Sequence, residues 1–269
     1  MPRPQPGSTS RTPKPALHFS HANGFPARTY GAMLGALGER YRLSWIDAIG
    51  TDPGYPVSEG WPHLVEQLID SIEEPPVYAV GHSLGGYLSF LAAARRPELF
   101  RAIVLLDAPI IGPFRGTLLG ATKRLGVVDR VTPAGVTRDR RSHWRTVEEA
   151  KAHFRTRRLY RHLAEECLDD YVRHGLVRDA AGELRLRIDP LVEYQIYRTI
   201  PHGMMRHLRD LRVPAGFIGG EDSDVVRRVR LAGMRPKFVI CRVPGGHLFP
   251  LERPREAAQA IVDILDALG

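Results

Sequence analysis

The residues most able to do covalent chemistry stand at positions 81–86, Gly-His-Ser-Leu-Gly-Gly. An apolar β-prone run, Val77-Tyr78-Ala79-Val80, leads into them and a helix-like segment follows at once. Gly-x-Ser-x-Gly between a strand and a helix describes a sharp turn that lifts the serine hydroxyl out of the sheet. Gly81 and Gly85 leave room beside Ser83, and Gly86 lets the next helix pack close. The same turn aims the backbone N–H of Leu84 at the space in front of the hydroxyl. A serine in that position suits nucleophilic attack on a carbonyl carbon.

A serine hydroxyl is a weak nucleophile at neutral pH. It needs a base within hydrogen-bond reach and a carboxylate to orient that base. His247 is the candidate base. It lies in Pro244-Gly245-Gly246-His247-Leu248-Phe249-Pro250, a glycine-rich loop after an expected strand. His82 sits beside the nucleophile, but the turn points its side chain elsewhere, and support of the strand end is its expected role. For the acid, Glu221, Asp222 and Asp224 crowd the loop after another expected strand. Asp224 is favoured, because it follows Ser223 and precedes Val225-Val226, where a helix can start. Asp222 is the alternative, and the unused carboxylates become solvated loop or cap residues.

These side chains need a scaffold that brings strand ends together. From Ala16 onward strand and helix patterns alternate, which implies an α/β fold with a mostly parallel central sheet flanked by helices. Expected strands cover 16–20, 42–46, 77–82, 102–106, 215–219 and 237–243. Expected helices cover 28–40, 58–69, 84–95, 224–233 and 254–268. Residues 110–205 break the alternation with charged, aromatic-spotted, mainly helical sequence. Helices are expected at 148–158 and 159–171, with a short extended piece at 182–186. The domain plan is thus a disordered tail at 1–15, a core of 16–109 and 206–269, and a helical cap inserted at 110–205.

Composition narrows the classes. No apolar run is long enough to span a bilayer, and the first residues carry no apolar h-region, so no secretory signal is expected. Cys167 and Cys241 alone make neither a disulfide framework nor a metal cluster, so packing roles and a cytoplasmic location are expected. The formal net charge is +8, with much of the excess arginine between Lys123 and Arg178. That excess raises the question of an anionic partner. No nucleic-acid motif accompanies it, and a solvated helical surface is the simpler reading.

Taken together, His-Ala-Asn-Gly-Phe-Pro at 21–26, the serine motif at 81–86, Gly-Glu-Asp-Ser-Asp at 220–224 and Gly-His-Leu-Phe-Pro-Leu-Glu-Arg-Pro at 246–254 resemble the α/β-hydrolase fold family. The likeness runs from about Ala16 to the C-terminus. It implies an esterase-like serine hydrolase with Ser83, Asp224 and His247 as its triad. It also implies a cap over an acyl pocket after the fourth strand, no metal or organic cofactor, and a small-molecule acyl substrate. Its oxyanion hole would join Leu84 N–H to an N–H of the 21–26 loop. By analogy with His-Gly-Phe-Pro loops that second donor is Phe25, with Ala22 as the alternative. On that likeness, the amino-terminal antiparallel strands of larger members are not expected here, and the sheet should be compact. A serine nucleophile speaks against the dehalogenase and epoxide-hydrolase branches, which use aspartate. Thioester, C–C bond or cofactor-free perhydrolase chemistry suits the same residues, and a non-catalytic binding protein is the rival class. Tyr160, Tyr171, Tyr194, Tyr197, Phe114 and Trp144 in the cap either line the pocket or, for most, pack its core.

Overall fold

The computed structural model describes residues 13–229 and 231–269. The expected tail, 1–15, lies outside the described residues apart from its last three positions. The central sheet has six strands: β1 (Ala16–Ser20), β2 (Arg42–Trp45), β3 (Val77–His82), β4 (Phe100–Leu106), β8 (Ala215–Gly220) and β9 (Phe238–Val243). Their order is β2-β1-β3-β4-β8-β9, and every neighbouring pair is parallel.

Strand alternation splits the core in two. In β4, Ala102, Val104 and Leu106 join one apolar cluster, while Ile103 and Leu105 join the other. That is the two-residue period of a strand buried on both faces. Helices α1 (Gly31–Gly38) and α12 (Pro254–Leu268) cover the first face. Helices α2 (Pro62–Asp70) and α3 (Leu84–Arg95) cover the second. In α12, Ala257, Ala258, Ile261, Val262, Ile264 and Leu265 form a buried stripe at helical spacing.

The chain leaves β1 toward the first face and β3 toward the second. The sheet order therefore reverses between these two strands, and a crevice opens at their carboxyl ends. That reversal sets the 21–26 loop beside Ser83. Gly85 N–H donates to the His21 carbonyl at 3.1 Å and ties the two loops together.

Between β4 and β8 lies a second unit. It contains α4 (Pro113–Arg124), α5 (Ala134–Thr137), α6 (Val147–Arg155), α7 (Glu165–His174), α8 (Pro190–Arg198) and α9 (Met205–Leu208). The extended piece expected near 182–186 is part of a small antiparallel sheet, β5 (His143–Trp144), β6 (Leu176–Arg178) and β7 (Leu184–Leu186), in the order β5-β7-β6. The helix expected at 159–171 starts only at Glu165, because 156–163 form turns. Likewise the helix expected at 224–233 is α10 (Asp224–Arg228) followed by a 3-10 turn, Leu231–Gly233. The short α11 (Phe249–Glu252) precedes α12.

Aromatic rings anchor this unit to the sheet. Phe25 lies 5.6 Å from Tyr160 and 5.2 Å from Tyr171, and Phe154 stands 4.9 Å from both Trp144 and Tyr160. Trp144, Tyr160 and Tyr171 are therefore buried, whereas Phe114 is 81% exposed. Cys167 is buried beside them, and burial pushes its thiol up to about 12.

A β-carbon on Gly85 would sit 2.0 Å from the Ser20 carbonyl oxygen, backbone that cannot yield. On Gly35, exposed within α1, it would meet nothing within 4 Å. The two alanine substitutions should thus have opposite signs. Gly85→Ala is expected to cost about 1–3 kcal/mol or more, and Gly35→Ala to stabilise by about 0.5–1 kcal/mol. Urea unfolding of the two variants beside wild type checks this, and equal midpoints for the pair would contradict it.

Candidate active site

Five loops meet at the carboxyl edge of the sheet. Ser83 occupies the turn after β3 with φ 52° and ψ −110°, a left-handed backbone that costs energy for any residue with a side chain. Its N–H donates to the Leu106 carbonyl at 2.9 Å, which fixes the turn against β4. Gly81 makes the turn possible, since a β-carbon there would meet the Gly85 carbonyl oxygen at 2.2 Å.

His247 reaches the same cavity from the loop after β9. Gly245, at φ 117°, bends that loop, and Glu252 accepts the Gly246 N–H at 2.7 Å to hold it. The imidazole Nδ1 donates to Oδ2 of Asp107 at 2.6 Å. With its proton committed there, Nε2 is left as the basic nitrogen.

The carboxylate set against His247 is Asp107, a residue that the sequence pattern did not single out. It is the first residue past β4, 1% exposed, with φ 48°. Three donors hold it. Gly220 N–H reaches Oδ1 at 2.9 Å, while the Ser223 hydroxyl at 2.5 Å and His247 both reach Oδ2. Three donors on two oxygens satisfy the buried carboxylate and fix its orientation.

Asp224 and Asp222, expected to meet His247, do not bond to it. Asp224 is exposed at the first position of α10, where a negative charge suits the helix N-terminus. Asp222 is exposed and pairs with Arg227 at 3.0 Å. Glu221 is exposed as well. The β8 loop supplies instead the two donors that grip Asp107. The one signal for Asp107 in the sequence was a lone aspartate ending the apolar run 102–106.

The 21–26 loop also departs from expectation. Phe25 N–H is already bonded to the Ala22 carbonyl at 3.1 Å, and Ala22 N–H to the Tyr30 hydroxyl at 3.3 Å. Neither is free to meet a ligand. Among the described residues the N–H groups of Asn23 and Leu84 make no protein hydrogen bond; Leu84 follows Ser83 directly, and Asn23 lines the same cavity. Gly24, at φ 79°, allows the turn, and the Asn23 side chain donates to the Glu193 carbonyl at 3.0 Å.

His82 ties the loops together. Its Nε2 lies 2.8 Å from the His247 carbonyl, which can only accept, so Nε2 carries the proton. Nδ1 then accepts from the Tyr30 hydroxyl at 2.8 Å, and that oxygen in turn takes the Ala22 N–H. A single neutral relay therefore spans the 21–26 loop, the end of β3 and the His247 loop.

The cavity measures about 1910 Å³ and runs from Ser83 out past α4 and the 156–163 turns. Tyr160 and Tyr197 line it, whereas the Tyr194 hydroxyl bonds Asp129 at 2.9 Å. On one wall Arg140 forms a buried ion pair with Glu193 and donates to the Tyr160 hydroxyl at 2.9 Å. Burial raises the Glu193 carboxyl above the usual range, and the Arg140 guanidinium opposes that shift. Among the described residues no group of three or more His, Cys, Asp or Glu side chains is placed to hold a metal ion.

This fold has counterparts among known proteins. The family model described as "Alpha/beta hydrolase family" matches residues 19–260. The chain belongs to the α/β-hydrolase family. A 2-(acetamidomethylene)succinate hydrolase of Mesorhizobium japonicum is 23% identical over 94% of this chain and 88% of its own length. An abhydrolase domain-containing protein of Alternaria alternata, AFT2-1, is 27% identical over 72% of this chain and 84% of its own. Among solved structures, E-2-(acetamidomethylene)succinate hydrolase superposes with a TM-score of 0.73 at 21% identity, covering 95% of this chain and 92% of that one. A thioesterase domain from the curacin biosynthetic pathway gives 0.70 at 16% identity, covering 93% and 91%. These likenesses establish the fold of this hydrolase-family member.

Three buried histidines make the stability of this edge pH-dependent. Burial lowers His18 and His21 to about 4. Burial, with the neighbouring His247, lowers His82 to about 3. In the unfolded chain each takes its proton near 6.5. Folded-state values below unfolded ones mean that unfolding takes up protons as the pH falls through this window. Stability should then drop by about 1.4 kcal/mol per histidine per pH unit between about pH 6 and pH 4. Urea midpoints across that range should fall with pH, and a flat profile would refute the buried-neutral assignment.

Proposed function

We propose that the protein is a serine hydrolase that cleaves a carboxylic ester of a small or medium acyl substrate, through an acyl-enzyme on Ser83. The observation that supports it best is the His247–Asp107 hydrogen bond, set in the same cavity as a serine on a strained strand-to-helix turn. His247 Nε2 takes the Ser83 proton as Oγ attacks the carbonyl carbon. Asp107 stabilises the imidazolium that forms. The N–H groups of Leu84 and Asn23 receive the developing oxyanion, replacing the Phe25 and Ala22 donors expected from sequence. The imidazolium then protonates the departing alkoxide, which leaves as the alcohol. In the second half, His247 deprotonates a water that attacks the acyl-enzyme, and the acid is released with Ser83 reprotonated.

This assignment separates the carboxylates cleanly. A fluorophosphonate probe should label wild type at Ser83 and should not label Ser83→Ala. Asp107→Asn should lower kcat on p-nitrophenyl butyrate by about 10³–10⁴, while Asp224→Asn and Asp222→Asn change it by less than about threefold. A large loss in Asp224→Asn with none in Asp107→Asn would reject the acid named here. An unlabelled wild-type protein would reject the serine mechanism. Hydrolysis of butyryl thioesters with no turnover of the p-nitrophenyl ester would replace the substrate class and retain the mechanism.

A further inference from the structure

Charge and apolar exposure coincide on one part of the molecule. Between Pro113 and His162 stand thirteen Lys and Arg against four Asp and Glu, a surplus of nine. The whole chain has a surplus of eight, so this segment accounts for all of it and the rest is close to neutral. Arg115, Arg157, Arg158 and Arg161 line the outer cavity with no carboxylate partner among the described residues, whereas neighbouring Arg140, Arg141 and Arg155 are paired. Asp139, Glu166 and Glu256 also line the cavity, and none of them is paired with these four arginines among the described residues.

Helix α4 is packed inside out. Gly116 and Gly120 face His202, and a β-carbon on Gly116 would strike the His202 carbonyl oxygen at 2.1 Å. The helix therefore docks by its glycines and turns Phe114 and Leu118, one helical turn apart, outward at 81% and 57% exposure. A surface helix ordinarily does the reverse. Val131, Val136 and Leu159 continue the apolar surface, and with Leu118 they line the cavity mouth. An apolar patch rimmed by polar groups marks an interaction site.

We propose that this face of the insertion, around the cavity mouth, seats on an anionic lipid bilayer, so that acyl substrates enter toward Ser83 from the lipid surface. Apolar side chains enter the acyl boundary while the unpaired guanidinium groups meet headgroup phosphates. A free phosphate or a nucleic acid would engage the arginines but leave Phe114, Val131 and Val136 without a role. The attachment is interfacial, since no helix among the described residues is long and apolar enough to cross a membrane. The lipid-substrate part rests on the Ser83 reading, while surface binding can be measured without it.

The test uses the full chain as Ser83→Ala, sedimented with vesicles. Partition onto equimolar phosphatidylcholine/phosphatidylglycerol should exceed that onto pure phosphatidylcholine by about tenfold or more, and fall as salt rises. The pair Phe114→Ser and Val136→Ser, both on exposed positions, should cut the anionic partition about tenfold while the melting temperature is unchanged. Arg157→Gln with Arg158→Gln and Arg161→Gln should abolish the preference for phosphatidylglycerol. Equal partition onto the two vesicles overturns the proposal, as does binding that ignores the Phe114/Val136 pair. Self-association that this pair abolishes, with no vesicle binding, assigns the face to a second copy and also overturns it. Vesicle binding in a protein whose wild type fails to label at Ser83 removes the hydrolase reading and leaves the surface standing.

Discussion

The edge of the sheet is organised around a carboxylate that has been taken out of water. Asp107 is buried, and an ionised carboxylate in such a place is tolerated only when donors surround it. The backbone of β8, the cap residue of α10 and the imidazole after β9 supply those donors. Three segments far apart in sequence are thereby held at one point. Removing any one would leave a buried charge short of a partner, so the geometry around His247 is stiff as well as polar.

That stiffness extends through neutral groups. His82 joins the His247 backbone to Tyr30, and Tyr30 joins the relay to the 21–26 loop. A histidine that charged in this position would break the relay, because Nδ1 could no longer accept. Burial keeps it neutral and so fixes its tautomer. The same loop is bound from the other side by Asn23 to Glu193, and Glu193 is held by Arg140. The inserted unit thus bears directly on the 21–26 loop. Sheet and insertion are linked by polar contacts as well as by the aromatic cluster around Phe25.

The insertion itself follows a different logic from the sheet. Its inner side is aromatic and closely packed, whereas its outer side exposes large apolar residues among arginines that have no carboxylate partner among the described residues. A solvated helical surface accounts for the charge but not for α4, whose glycines face inward and whose phenylalanine faces out. Surplus charge and exposed hydrophobic area lie together where the cavity opens, which links the shape of the site to what approaches it.

Much of the fold was legible in the chain. Strands announced themselves by apolar runs bounded by turns, and their buried alternation followed. Ser83 and His247 stood out because glycine-rich loops after strands are local signals. The partner of His247 was not a local matter. Asp107 looked like the end of a strand, and three carboxylates at 221–224 drew attention from it. Which carboxylate is desolvated depends on which strands lie side by side, and β4 next to β8 is a fact of the sheet order alone. The N–H groups of the 21–26 loop were equally undecidable, since whether a donor is free depends on a carbonyl or a tyrosine folded against it. Sequence by itself determined the elements, the turns and the setting of Ser83, because these depend on neighbours along the chain. Tertiary structure decided which carboxylate meets His247, which donors are free and which face of α4 is exposed, because burial and pairing exist only between segments brought together in space.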